Sequence, residues 1–125
     1  MYKLRHLAIL VSDPETSAVF FEQAFGMIRA GLARRGIYMS DGIINVALLK
    51  VNLEKGEKTG LFHYGMWVDD LGEAENRLTE AGGRYLGGRP VSPNSFYEAK
   101  YKGPDEIVFD ITHNGWAGAV KDPGQ

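Results

Sequence analysis

An internal repeat is the feature of this sequence that most constrains its fold. The segments His6–Asp13 and His63–Asp70 each open on a histidine, continue through an apolar run and close on an aspartate with the same spacing. Two copies are too few for a solenoid and predict one domain with pseudo-two-fold symmetry. We therefore expect a single domain of 125 residues, built from copies that span about 3–53 and 60–113.

Each copy carries the signals of a βαβββ unit. Leu4–Val11 and Phe62–Val68 are predicted strands, because both combine strand length with β-branched, aromatic and aliphatic residues. Helices are predicted over 14–25 and 71–81, since an aspartate precedes each segment as an N-cap and glycine follows it. Three short apolar runs follow each helix. They are Met27–Ala30, Gly36–Ser40 and Ile43–Lys50, then Arg84–Leu86, Ser95–Tyr101 and Ile107–Thr112.

Strand alternation predicts which side chains meet. The more apolar face of each strand is expected to pack under a helix, which leaves His6, His63 and Asp110 on the opposite face, with Glu106 beside them. Two neutral imidazoles and a carboxylate from three strands can hold a divalent first-row metal ion and leave positions open for substrate. The alternative is that each histidine is an ordinary structural residue of its strand.

Composition narrows the class of partner. The chain has 14 Lys+Arg against 16 Asp+Glu, and neither the basic nor the acidic residues form a long block. We therefore expect a small-molecule partner and no nucleic-acid or membrane partner. No apolar stretch approaches the roughly 20 residues of a membrane-spanning helix. Because the chain has no cysteine, a metal would be held by His, Asp, Glu or Asn, and a cytoplasmic location is the simplest expectation.

These motifs resemble the vicinal oxygen chelate superfamily, which includes glyoxalase I, extradiol dioxygenases, methylmalonyl-CoA epimerase and the fosfomycin and bleomycin resistance proteins. The runs that carry the resemblance are Leu4–Asp13, Phe20 and Phe21 with Gly26, Phe62–Asp70 and Gly103–Ile111. The resemblance implies an α+β fold in which two βαβββ modules form an open, cup-shaped mixed sheet with the helices packed outside. It also implies a metal in the cup and assembly as a homodimer.

The resemblance also implies a ligand set. Asp110 stands where the family has a glutamate ligand, so His6, His63 and Asp110 would hold one divalent ion, Fe, Mn, Co, Ni or Zn. Aspartate is one methylene shorter than glutamate, so the metal would lie closer to the last strand or bind it through water. Family members with a fourth ligand carry Glu or Gln on the fourth strand, where this chain offers only Asn45, a candidate substrate contact.

Further candidates follow from the same strands. Glu106 and Glu98 are candidate groups for proton transfer, and the phenols of Tyr101 and Tyr97 could donate a hydrogen bond to a substrate oxyanion. Trp67 shares the inferred face of the second histidine and would give the cup an apolar wall for substrate. The alternative interpretation is that the tyrosines cap a half-buried sheet and that the tryptophan fills the core.

Two functions remain open. The first is a metal-dependent enzyme that binds neighbouring substrate oxygens, either a glyoxalase-like lyase or isomerase or an extradiol-type dioxygenase. The second is a metal-free protein that binds or sequesters a small molecule, as in bleomycin resistance. Arg29, Arg34 and Arg35 surround the second strand and could bind a carboxylate or phosphate in the cup, although a solvated face is the simpler interpretation.

Overall fold

The computed structural model of the protein describes residues 2–89 and 98–113. In chain order the elements are β1 (Lys3–Val11), α1 (Pro14–Phe25), β2 (Ile28–Ala33), β3 (Gly36–Ser40), β4 (Asn45–Lys50), β5 (Gly60–Trp67), α2 (Leu71–Glu80), β6 (Arg84–Arg89), β7 (Glu98–Lys102) and β8 (Val108–Thr112). Within the described ranges, no helix is both long enough and apolar enough to cross a lipid bilayer.

The strands form one mixed, open sheet in the order β2-β3-β4-β1-β5-β8-β7-β6. β1 and β5 are antiparallel neighbours at its centre, and each pairs on its other side with the last strand of its own module, β4 or β8, in parallel. The two βαβββ modules therefore join edge to edge. This arrangement confirms the predicted α+β fold.

Local capping signals account for both helices. The carboxylate of Asp13 accepts a hydrogen bond from the backbone N–H of Glu15, and α1 ends at Gly26, whose φ of +66° is left-handed. Asp70 accepts a hydrogen bond of 2.8 Å from the backbone N–H of Glu73 at the start of α2. These contacts satisfy N–H groups that have no partner within the helix. The predicted bounds of α1 are confirmed, and α2 ends one residue earlier than predicted.

The hydrophobic core lies between the sheet and the two helices, in two clusters. The cluster under α1 contains Ala18, Ile37, Met39, Val46 and Leu48. The cluster under α2 contains Val68, Ala74, Ala99, Tyr101, Phe109 and Ile111. Because side chains alternate along a strand, the residues between these core positions face the opposite side of the sheet.

Several strand bounds differ from the predicted ones. β8 begins at Val108 because the preceding segment, Pro104–Glu106, forms a tight turn. Asp105 and Glu106 have φ values of +60° and +63°, which are incompatible with a strand. Glu106 therefore does not share a strand face with Asp110, and that prediction is wrong.

The other differences concern the hairpins. β2 begins one residue later than predicted and continues to Ala33, because Ala33 pairs with Gly36 across a two-residue turn. β4 begins at Asn45, and β6 extends to Arg89. The predicted strand 95–101 is described only from Glu98 onwards, so Tyr97 lies outside the described residues.

Candidate metal centre

Three neighbouring strands bring the predicted ligands together. His6 lies on β1, His63 on β5 and Asp110 on β8, and one ligand atom from each lies within 4.8 Å of the other two. The Nε2 atoms of His6 and His63 are 3.8 Å and 3.4 Å from Oδ2 of Asp110. The two imidazole rings are nearly perpendicular, with centroids 5.4 Å apart. The three side chains that strand alternation predicts on one face therefore do converge.

A glycine makes this convergence possible. Gly65 on β5 is the register partner of both His6 and Asp110. A Cβ atom at this position would lie 2.2 Å from Cε1 of His6 and 2.7 Å from Oδ1 of Asp110, both closer than non-bonded atoms approach. The bare backbone of Gly65 therefore provides the space in which the ligands meet.

Burial controls the protonation of the cluster. Burial and, to a smaller extent, the neighbouring basic side chains lower the pKa of His6 to about 3, so its imidazole is neutral at physiological pH. Burial raises the pKa of Asp110 above the usual range of a carboxyl group, and the nearby carboxylate of Glu98 adds to the effect. The neutral imidazole is the form that binds metals.

The donor set fits a divalent metal ion. Both carboxylate oxygens of Asp110 are buried, and the ammonium of Lys100 lies 3.5 Å from Oδ2. A buried carboxylate is costly unless cations compensate its charge. Two imidazole nitrogens and a carboxylate oxygen are ligands that first-row divalent ions accept. His6, His63 and Asp110 are thus suited to hold such an ion.

Two further charged residues, both on β7, belong to this site. Glu98 is buried, and Nζ of Lys100 lies 3.9 Å from its Oε2 and 3.5 Å from Oδ2 of Asp110. Glu98 is a residue that the sequence predicted as a candidate, whereas Lys100 was not predicted. Along β7, Glu98 and Lys100 alternate with Ala99 and Tyr101. Once Ala99 and Tyr101 are assigned to the core face, this alternation places Lys100 on the same face as Glu98.

His6 and His63 of the cluster line a cavity of about 600 Å³. The cavity is lined by His6, Ala8, Ala33, Arg34, Arg35, Tyr38, Ala47, Leu49, Asn52, Lys55, Glu57, Phe62, His63, Glu98 and Lys100. Asn45 is fully buried beside this surface, directly opposite His6 in the register of β1 and β4. Since side chains opposite each other in a parallel pair share a face, Asn45 lies on the face of the metal cluster.

The predicted catalytic residues Tyr101 and Glu106 do not join the cluster. Tyr101 is only 3% exposed and stacks on Phe109 in the core under α2, with ring centroids 5.9 Å apart. Glu106 is exposed and forms ion pairs with Lys102, at 3.3 Å, and with Arg84. Tyr101 therefore faces the helix side of the sheet, and Glu106 lies in the turn before β8.

Trp67 follows the second histidine along β5 but does not line the cavity among the described residues. Its indole N–H donates a hydrogen bond of 3.0 Å to the backbone carbonyl of His113. The guanidinium of Arg5 lies over the ring, 5.1 Å from its centroid. These contacts give Trp67 a packing position rather than a place in the cavity wall.

Solved structures from several bacteria share this fold. A hypothetical protein from Bacillus halodurans C-125 matches with a TM-score of 0.70 and 16% identity, over 88% of this chain and 92% of that protein. The 2,3-dioxygenase LapB from Pseudomonas sp. KL28 matches with a TM-score of 0.69 and 12% identity, over 94% of this chain but 42% of the dioxygenase.

A third structure is a variant methylmalonyl-CoA epimerase from Streptomyces coelicolor, in complex with 2-nitronate-propionyl-CoA. It matches with a TM-score of 0.69 and 12% identity, over 87% of this chain and 94% of the epimerase. At such identities the likeness concerns the fold alone. No curated protein is significantly similar to the chain in sequence.

A match to a family model assigns the chain to a family from its sequence. The model of the Glyoxalase/Bleomycin resistance protein/Dioxygenase superfamily matches residues 3–111, which include both βαβββ modules up to β8. The match covers the three residues of the candidate metal centre. The chain therefore belongs to the glyoxalase/bleomycin resistance protein/dioxygenase superfamily.

Proposed function

We propose that this protein is a divalent-metal-dependent enzyme that binds a small substrate through two neighbouring oxygens. The observation that carries the proposal is the convergence of His6, His63 and Asp110, within 4.8 Å of one another, beside a cavity large enough for a small molecule. A fold shared with a dioxygenase and with an epimerase in complex with a CoA ester supports an enzyme of this class.

The three ligands would bind Fe, Mn, Co, Ni or Zn and leave positions open toward the cavity. A bound ion supplies Lewis acidity, which polarises substrate oxygens. The chain's own contribution is to hold the neutral imidazole of His6 and the imidazole of His63 in place and to keep bulk water from the carboxylate of Asp110, which is fully buried. The amide of Asn45 is on the same face but fully buried and outside the described cavity lining, so we assign it no contact with the substrate.

We assign proton transfer to Glu98 rather than to Tyr101 or Glu106. Its carboxylate is buried and lines the cavity, whereas the phenol of Tyr101 is in the core and Glu106 is held by ion pairs in an exposed turn. A group that moves a proton must come within hydrogen-bond reach of the substrate. Glu98→Gln is therefore expected to retain metal while losing proton-transfer activity, and retained activity would remove Glu98 from the mechanism.

Metal content tests the proposal. Elemental analysis of protein purified without chelator or nickel affinity is expected to find a near-stoichiometric divalent metal. His6→Ala, His63→Ala and Asp110→Ala should each lose it. His113→Ala is the matched control, because this exposed histidine lies outside the cluster and should leave the metal in place. A wild-type protein that retains no metal and binds none when it is added would refute the metal-dependent function.

The identity of the metal separates the two reaction types. A preference for Fe(II), with oxygen uptake that depends on substrate, would identify an extradiol-type dioxygenase. Activity with Ni, Co, Mn or Zn and no oxygen uptake would identify a glyoxalase-like lyase or isomerase. Oxygen-electrode measurements on protein loaded with each metal in turn distinguish these outcomes.

One observation favours the metal-free alternative, a binding or sequestration protein of the bleomycin-resistance type. The ammonium of Lys100, 3.5 Å from Asp110, already compensates part of the buried negative charge. In that case His6→Ala and His63→Ala would leave the affinity for the small-molecule ligand unchanged. The same variants therefore decide between the two functions.

We also propose that the protein is a cytoplasmic homodimer. Exposed apolar side chains in α1 and at the start of β2, namely Phe20, Phe25 and Ile28, support an interface between copies. Sedimentation velocity should give twice the mass of the chain, and Phe25→Ser should shift the equilibrium toward monomer. Fractionation of the cells that produce the protein would test its location.

A further inference from the structure

We propose that the substrate carries a second anionic group, a carboxylate or phosphate, that binds Arg34 at the end of the cavity remote from the metal ligands. The inference rests on the proposed function, because it concerns the same cavity and specifies the class of substrate. Such a molecule has neighbouring oxygens at one end and a negative charge at the other, joined by a short apolar segment.

The cavity lining is asymmetric. The metal cluster, with Glu98 and Lys100, occupies the part contributed by β1, β5 and β7. The turn between β2 and β3 and the segment that connects the two modules contribute the basic residues Arg34, Arg35 and Lys55. A bound molecule that spans the cavity would therefore meet metal ligands at one end and positive charge at the other.

The protein itself neutralises only part of this positive charge. Arg35 is paired with Glu57, at 2.5 Å, and donates a second hydrogen bond to the backbone carbonyl of Lys50. The pKa of Glu57 lies below its usual range, mainly because its carboxylate accepts hydrogen bonds from the guanidinium of Arg35. The charge of Lys55 makes a smaller contribution. Arg34 has no ion pair or hydrogen bond to any residue that the structure describes. Its charge is available to a ligand.

Backbone geometry holds Arg34 beside the cavity. Arg34 and Arg35 form the two-residue turn that joins the paired residues Ala33 and Gly36. A Cβ atom on Gly36 would lie 1.8 Å from the carbonyl oxygen of Leu48, so β3 lies closely against β4 at this point. The turn is thus fixed by the Arg35–Glu57 pair on one side and by close strand packing on the other.

Part of the cavity lining is apolar. Ala8, Ala47 and Leu49 contribute it from β1 and β4, and the ring of Tyr38 adds to it from β3. These side chains would bury methylene groups favourably but would contribute few hydrogen bonds to a polyhydroxylated chain. The lining therefore favours a short aliphatic linker between the chelating oxygens and the remote anion.

Paired 2-oxo acids test the inference. The 2-oxo acid group offers two neighbouring oxygens for chelation, and 2-oxoadipate differs from 2-oxohexanoate by carrying a carboxylate at its far end. Calorimetric titration of metal-loaded protein is expected to give about tenfold tighter binding of 2-oxoadipate. Arg34→Gln should abolish this preference while leaving the affinity for 2-oxohexanoate unchanged.

Arg29→Gln is the matched control, because Arg29 is bound by Glu15 and Glu22 and does not line the cavity among the described residues. It should retain the preference for the diacid. Equal affinities for the two acids, or a preference that persists in Arg34→Gln, would overturn the inference and leave the proposed function intact. Failure of both acids to bind, or equal binding to His63→Ala, would instead contradict chelation at the metal centre and the inference with it.

Discussion

Gly65 is the register partner of the first histidine ligand and of the carboxylate ligand. A methyl group there would overlap the imidazole of His6, at 2.2 Å, and crowd Oδ1 of Asp110, at 2.7 Å. We expect Gly65→Ala to weaken Co²⁺ or Zn²⁺ binding at least tenfold, since displaced ligands cannot share one ion. Calorimetric titration with the metal measures this loss.

Gly72→Ala is the control for that substitution. Gly72 lies in α2, where a Cβ atom would meet only Oδ1 of Asp70 at 3.4 Å, an ordinary contact. Its metal affinity should equal that of the wild type. A Gly65→Ala protein that also binds metal as well as the wild type would show that the cluster does not hold the ion.

We also expect the carboxyl group of Asp110 to release a proton when a metal binds. The raised pKa of Asp110 means that its carboxyl group retains a proton well above the pH at which a solvated carboxyl group loses it, whereas the lowered pKa of His6 keeps that ligand neutral. A metal must displace the proton of Asp110, so affinity should rise with pH through the neutral range. Titrations in buffers of different ionisation enthalpy measure the proton released. Asp110→Asn should release none, and pH-independent affinity of the wild type would contradict the expectation.

At the scale of elements, α2 depends on its first turn. Asp70 accepts a hydrogen bond of 2.8 Å from the backbone N–H of Glu73, and α2 covers the core cluster next to β8. Asp70→Ala should lower the free energy of unfolding by about 1 kcal/mol. Urea denaturation measures the change. Glu80→Ala removes a carboxylate from the opposite end of the same helix and should not destabilise the protein, and equal losses in both variants would argue against capping.

The bounds of elements that have capping or turn residues at their ends were predicted well. The bounds of elements that lack such residues were not. The bounds of α1 follow from Asp13, Pro14 and Gly26, which act within one turn of the helix ends. The start of β8 was wrong because two consecutive residues, Asp105 and Glu106, adopt left-handed backbone. Aspartate enters this region occasionally, but glutamate does so rarely, and no glycine marks the turn at these positions. The face of Tyr101 depends on how β7 pairs with β8, and this register is set by distant residues.

At the scale of the whole molecule, the metal centre joins the two modules. His6 comes from the first module, and His63 and Asp110 come from the second. A ligand that binds only the folded state stabilises it, by about 2.7 kcal/mol at a hundredfold excess over Kd. Saturating Zn²⁺ or Co²⁺ should therefore raise the Tm by several degrees, as measured by calorimetry. His6→Ala should lose this shift, and a shift of equal size in the variant would place the metal elsewhere.

The sequence by itself determined the paired βαβββ modules, both helices and the candidate ligands His6, His63 and Asp110. These follow from alternation, capping and repetition, which act between residues close in the chain or at equivalent places in the two copies. Only the tertiary structure decided that Lys100 borders the cluster and that Arg34 borders the cavity. The physical reason is that such neighbours depend on strand order and register, which the packing of the whole sheet sets.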